Sequence, residues 1–121
     1  MSFIAHPTPA QSAGGDAEER AAAYLANRGL AIVARNFRTR LGEIDLIARD
    51  GDTLVFVEVR KRSSGSFGGA IESVTPAKQR RIQAAANQYL SRLGRAPRCR
   101  FDVVAMDGEE TKWLRAAFEC A

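Results

Sequence analysis

The chain is poor in cysteine and has no long apolar run. Its two cysteines, Cys99 and Cys120, are too few and too irregularly placed for a disulfide framework or a zinc site. They read as reduced thiols in a cytoplasmic protein. No hydrophobic stretch approaches the roughly 20 residues that a membrane-spanning helix needs, so no membrane is expected as a partner. The N-terminus has no basic segment followed by a long apolar one, which argues against a secretory signal. What is there is 121 residues, 45% hydrophobic and 26% charged, the composition of one soluble folded domain.

The formal net charge of +4 is only mildly basic, and its distribution says more than its size. Arg60, Lys61 and Arg62 stand beside Glu58, and Lys78, Arg80 and Arg81 open a helical pattern. Cations flanking a buried acidic cluster fit a site that binds a metal and a phosphate together. Arg92, Arg95, Arg98 and Arg100 follow and read as a solvated surface.

Residues 1–13 hold proline, serine and glutamine without periodicity and are expected to be a flexible tail, leaving one domain over 14–121. Asp16 is a plausible N-cap for a first helix that Gly29 stops. Leu30 to Phe37 reads as a strand. Residues 62–74 form a loop rich in serine and glycine. Thr75-Pro76 is a helix start, and Ile82, Ala85, Ala86, Tyr89, Leu90 and Leu93 make an apolar stripe that ends near Gly94. Phe101 to Met106 is a further strand, and Trp113 to Phe118 an edge strand. The order α-β-β-β-α-β-β describes an α/β sandwich built on a mixed sheet.

Two runs between these elements carry most of the information, Gly42-Glu43-Ile44-Asp45-Leu46-Ile47 and Val55-Phe56-Val57-Glu58-Val59-Arg60. Each reads as a buried strand, yet each holds carboxylates. An unpaired buried carboxylate costs several kcal/mol or shifts its pKa until it is neutral. The Asp50-Gly51 turn signals a hairpin that sets the two strands side by side. Strand parity puts Glu43 with Asp45, and Glu58 with Arg60, so the three carboxylates are expected to converge. Oxygen-only ligands suit Mg²⁺ or Mn²⁺. The bland counterpart is a salt-bridge network in which Glu43 and Asp45 pair with Arg38, Arg40 and Arg60.

Asp45, twelve intervening residues and then Glu58-Val59-Arg60 resemble the PD-(D/E)xK nuclease signature. The wider text resembles the YraN-like family of predicted endonucleases, itself similar to Holliday-junction resolvases. Matching stretches include Ala34-Arg35-Asn36-Phe37-Arg38, Gly42 to Asp45, Val55 to Arg62, Lys78 to Arg81 and Arg100 to Val104. The resemblance implies a restriction-endonuclease-like fold, a mixed central sheet flanked by helices. It implies an endonuclease that hydrolyses phosphodiester bonds in DNA, branched DNA included, with Mg²⁺ or Mn²⁺. It implies metal-binding roles for Asp45, Glu58 and Glu43, and catalytic roles for these three with Arg60 and with Glu18 on the first helix. Lys61, Arg62, Lys78, Gln79 and Arg81 are the expected nucleic-acid contacts. Resolvases of this type act as dimers, because two strands must be cut, so a homodimer is implied as well. The family usually has lysine where this chain has Arg60, and arginine effectively cannot lose a proton. The alternatives are a catalytically weak nucleic-acid-binding module that keeps the fold, and an interaction protein whose acidic cluster is only structural.

Overall fold

The computed structural model describes residues 9–62, 69 and 72–119. Among these, the chain runs α1 (Pro9–Ala26), β1 (Ala31–Arg38), β2 (Glu43–Asp50), β3 (Thr53–Arg62), α2 (Pro76–Leu93), β4 (Arg98–Asp107) and β5 (Glu110–Phe118). The strands make one sheet in the order β1-β2-β3-β4-β5. β3 and β4 are parallel and the other pairs antiparallel, so the sheet is mixed. The parallel pair needs a long crossover, and α2 lies within it.

The central strand is buried as its apolar sequence requires. Leu54, Val55, Phe56 and Val57 are all inaccessible or nearly so. Val55 and Val57 face α1 together with Leu46, Ala48 and Val104, and meet Ala17, Ala21, Ala22 and Leu25. Three alanines in that stripe let the helix backbone come close to the sheet. Phe56 faces the other way, with Phe101 and Val103, under Ile82, Ala85 and Ala86 of α2. One helix therefore covers each face, and the result is an α/β domain of the restriction-endonuclease-like kind. Leu25 is wholly buried, so Leu25→Ala would cost about 2–5 kcal/mol.

Local signals set the ends of α2. The Thr75 side chain accepts a hydrogen bond from the Lys78 N–H, Pro76 occupies the first turn, and Gly94 closes the helix at φ 68°. The β2–β3 turn joins Asp50 to Thr53 with Gly51 at φ 60°, the left-handed region that glycine enters without penalty.

Two expectations fail. Helix α1 begins at Pro9, so Asp16 lies inside it and is not its N-cap. Proline at a first helical position and Ala10 and Ala13 support the extra turns, while Gly14-Gly15, at about 1 kcal/mol each, hides them from a pattern reading. Residues 1–8 of the expected tail lie outside the described residues, as does most of the Ser/Gly-rich loop. Arg100 is not a solvated cation either. Its Nε donates to Asp102 Oδ1 at 3.0 Å, and its Nη2 lies 3.0 Å from Asp50. Asp102 is wholly buried, and a charge there needs a cation of its own. Among the described residues, no helix is long and apolar enough to cross a membrane.

Candidate active site

β2 and β3 pair from the hairpin turn as far as Leu46 and Val57. There the ladder stops, although both strands run on. Glu43 and Ile44 stay paired with β1, and Glu58 to Arg62 stay paired with β4. The strands part at this point, and the Asp45 side chain occupies the fork. Its Oδ2 accepts the Val59 N–H at 2.8 Å, replacing a ladder hydrogen bond. Strict alternation also breaks here. Ile44 and Ile47 pack on the α2 side, whereas Leu46 packs on the α1 side. Across β1, Asn36 sits between the Arg35–Leu46 and Phe37–Ile44 pairs with φ 52°. Asparagine tolerates that left-handed conformation better than most residues. Parity alone therefore does not carry Asp45 to Glu58; the parted strands do.

Glu58 is 5% exposed and holds two cations on one oxygen. Lys78 Nζ lies 3.0 Å and Arg60 Nη1 3.2 Å from its Oε2. The Arg60 Nε donates to Ser73 Oγ at 2.8 Å, which fixes the guanidinium between strand and loop. Strand parity places Arg60, not Lys61, beside Glu58, as the sequence indicates. Glu18 reaches the fork from α1 and takes a hydrogen bond from the Asn36 side chain.

The electrostatics are those of crowded carboxylates. Burial pushes the Asp45 carboxyl up to about 8, with the Glu58 charge as the second cause and Glu18 as a smaller one. The Val59 N–H opposes the rise without cancelling it. Burial also raises Glu18, the Glu43 charge adds to it, and Asn36 and Arg38 work against it. Among the described residues, no lysine or arginine pairs with Asp45. The salt-bridge network that would make this cluster structural is present only for Glu43, which lies 3.5 Å from Arg38, and for Glu58.

These groups border a cleft of about 280 Å³ lined by Glu18, Glu43, Asp45, Glu58, Arg60, Lys61 and Lys78. A neighbouring cleft of about 400 Å³ shares Glu43 and Lys78 with it and adds Arg81. Gly42 lies against Arg81 there, where a Cβ would come within 2.2 Å of the Arg81 carbonyl oxygen. The Gln79 side chain does not enter either cleft; it donates to the Val74 carbonyl at 3.0 Å and ties down the start of α2. The Arg62 side chain lies outside the described residues. Glu43 stays at the exposed rim, turned to Arg38, and so does not close on Asp45 and Glu58 as a third equal partner. Among the described residues, no group of three or more His, Cys, Asp or Glu side chains is arranged to hold a metal ion as it stands. The donor chemistry nonetheless fits a hard cation. Asp45 and Glu58 offer only oxygen, and the cost of ionising Asp45 is what a divalent ion would remove. Sequence reasoning missed Ser73 and the roles of Asn36 and the Val59 N–H. Only Asn36 left a signal, an asparagine inside a strand pattern.

The sheet, its two helices and the fork with opposed carboxylates define an α/β domain of the restriction-endonuclease-like class. The model of a family described as "Uncharacterised protein family UPF0102" matches residues 17–106, and the chain belongs to that family, the YraN-like family that its sequence resembles. The match spans every cleft residue from Glu18 to Lys78. A UPF0102 protein of Herminiimonas arsenicoxydans is 52% identical over 118 residues, covering 97% of this chain and 95% of the relative. One from Cupriavidus taiwanensis is 56% identical over 110 residues, covering 90% and 84%. One from Ralstonia nicotianae is 55% identical over 117 residues, covering 93% and 90%.

Proposed function

We propose that this protein is a metal-dependent endonuclease that hydrolyses phosphodiester bonds in DNA, with branched DNA among its substrates. One observation carries the reading: Asp45 is held in the fork against Glu58 and, among the described residues, pairs with no cation, while Arg60 and Lys78 both pair with Glu58 in the same cleft. Stability alone gives no reason to build this. A site that needs a divalent cation and a phosphate at one place does.

Asp45 and Glu58 would hold Mg²⁺ or Mn²⁺, with Glu18 and Glu43 bordering the place. When bound, such an ion supplies Lewis acidity at a phosphate oxygen and lowers the pKa of water. The chain's own residues do the rest. Arg60, anchored by Ser73, presents a fixed guanidinium to a phosphate. Lys78 brings an ammonium from α2 to within 3.0 Å of Glu58, beside Arg60, which holds the position of the signature lysine. Lysine, unlike arginine, can give up a proton when its surroundings demand it. Lys61 and Arg81 extend the positive rim along which a strand would lie.

The second reading is a module that binds nucleic acid and cuts weakly or not at all. The observation favouring it is Arg60 itself, in the position of the signature lysine. Nicking of branched and single-stranded DNA in Mn²⁺ and in Mg²⁺, by the wild type and by Asp45→Asn, separates the two. Cleavage that depends on Asp45 is expected. Divalent titration that shows binding without any cleavage would favour the second reading.

A further inference from the structure

At the other end of the sheet from Glu58, a cleft of about 620 Å³ is lined by Arg49, Arg95 and Arg98, together with Asp52, Thr53 and Pro97. All three arginines are exposed. Among the described residues none of them forms an ion pair, and Asp52 is the single acid in the lining. Guanidiniums gathered from a β2 end, a β4 start and the turn after α2 repel one another unless an anion lies between them. The stretch from Arg92 to Arg98 reads as mere surface in the sequence because its partner, Arg49, is far away along the chain.

The cleft does not stand alone. Arg81 and Arg92 are eleven residues apart on α2, three full turns, and so share one stripe, with Arg95 just past the Gly94 cap. Arg92 leans over the Phe37 ring at 5.2 Å, which holds it on the β1 side of the helix, the side where Arg81 borders the Gly42 turn. Stacking leaves the guanidinium N–H edges free to donate. Arg81 to Arg92 spans about 16 Å at a helix rise of about 1.5 Å per residue. That is about five phosphates of one DNA strand at about 3.4 Å per step.

We propose that Arg49, Arg95 and Arg98 form a second phosphate-binding site for DNA. The Arg81–Arg92 stripe connects it to the carboxylate cleft, so one duplex is held at both ends of α2. This assignment rests on DNA as the substrate in the reading above, but not on cleavage. The stripe's continuity with the carboxylate cleft, through Arg81, favours a nucleic-acid backbone over an acidic protein segment.

The test is the salt dependence of binding to a duplex of about 20 base pairs, measured in EDTA so that no strand is cut. Each phosphate contact contributes about 0.9 to the slope of log K against log salt. The variant Arg49→Ala/Arg95→Ala/Arg98→Ala is expected to lower the slope by about 2 to 3. A control that removes equal charge elsewhere, Arg20→Ala/Arg28→Ala/Arg115→Ala, is expected to leave it unchanged. Single Arg95→Glu, which alters one exposed side chain, should weaken binding at low salt by about 10-fold or more. An unchanged slope in the first variant overturns the proposal, and so does an equal fall in both triple variants. The two readings fail separately. Wild-type protein that binds as expected but does not cut in Mn²⁺ removes only the nuclease. Protein that cuts while the first variant keeps its slope removes only the second site.

Discussion

Asp45, half-buried, and Asp102, wholly buried, both lie in the sheet, and each sits at a break in a strand ladder. At Asp102 the β4–β5 register slips between Phe101 and Val103, and Ala116 opposite has φ 50°. At Asp45 the β2–β3 ladder ends, and Asn36 alongside has φ 52°. The backbone device is the same, because an irregular strand frees N–H groups to point at a side chain. The electrostatics are opposite. Asp102 accepts from Arg100 Nε at 3.0 Å, from Trp113 Nε1 at 2.9 Å and from the Ala116 N–H at 2.9 Å. Asp45 accepts one backbone N–H and faces Glu58 and Glu18. This chain can bury a carboxylate for structure, and Asp102 shows how it does so. Asp45 is half-buried with a single backbone N–H and, among the described residues, no cation, so stability alone does not account for its place.

The sharpest way to break this contrast is to remove each carboxylate in turn. Asp45→Ala should cut DNA turnover by on the order of 10³-fold, about 4 kcal/mol of barrier, while the fold stays as stable as before or gains stability. Nicking rates in Mn²⁺ and urea denaturation measure the two halves. Asp102→Ala should do the reverse on stability, costing about 3–5 kcal/mol, because it removes the buried partner of Arg100, leaving only Asp50, and strands the Trp113 and Ala116 donors. If the two variants lose similar stability, Asp45 is as structural as Asp102 and the nuclease reading loses its main support.

A pH titration sharpens the same contrast without touching Asp102. In the metal-free protein Asp45 keeps its proton up to about 8, whereas in the unfolded chain it is lost near 3.8. Between those values the folded state binds the extra proton. Stability therefore falls as pH rises through this window and levels off above it. Between pH 5 and pH 8 the expected loss from Asp45 is on the order of 4 kcal/mol. Urea midpoints in EDTA at intervals from pH 5 to pH 8 should show the decline in wild type. In Asp45→Asn the curve should be flatter across that range. Equal slopes in both proteins would show that Asp45 is not the titrating group.

Much of this was legible in the sequence, for physical reasons. The Asp50-Gly51 turn, the Thr75 cap, the Gly94 stop and the stripe from Ile82 are local signals, so α2 and the hairpin could be placed from residues alone. Glu58 among apolar neighbours marked a buried charge, and its nearest strand cation was readable from parity. What could not be read was where pairing fails. The fork at Asp45 depends on β1, β2 and β3 together, and a period-2 pattern holds no trace of it. The partners of Arg100 were hidden for a related reason. Asp50 reaches it only because β4 lies parallel to β3, and Trp113 lies on the far side of a turn. Glu43 looked like a third ligand by spacing, yet Arg38 on the neighbouring strand holds it at the rim.

The smallest effects expected concern the two cations on Glu58, and they test which one completes the site. Lys78 comes from α2 and Arg60 from β3, and both reach the same oxygen. If the ammonium beside Glu58 matters to the chemistry, Lys78→Ala should lower turnover by about 30-fold, about 2 kcal/mol of barrier. Arg60→Lys should change it by less than about 3-fold, or under 1 kcal/mol, because Lys78 already supplies an ammonium and the substitution loses only the hydrogen bond to Ser73. The combined variant, Arg60→Lys with Lys78→Ala, carries the argument. It moves the ammonium from helix to strand and should recover part of the activity lost in Lys78→Ala. Each rate is measured with the same branched substrate in Mn²⁺, with DNA affinity in EDTA as a check that binding alone does not explain the change. Should Lys78→Ala match wild type, the helix cation is only a counter-charge for Glu58. Arg60, held by Ser73, would then be the residue that meets the phosphate.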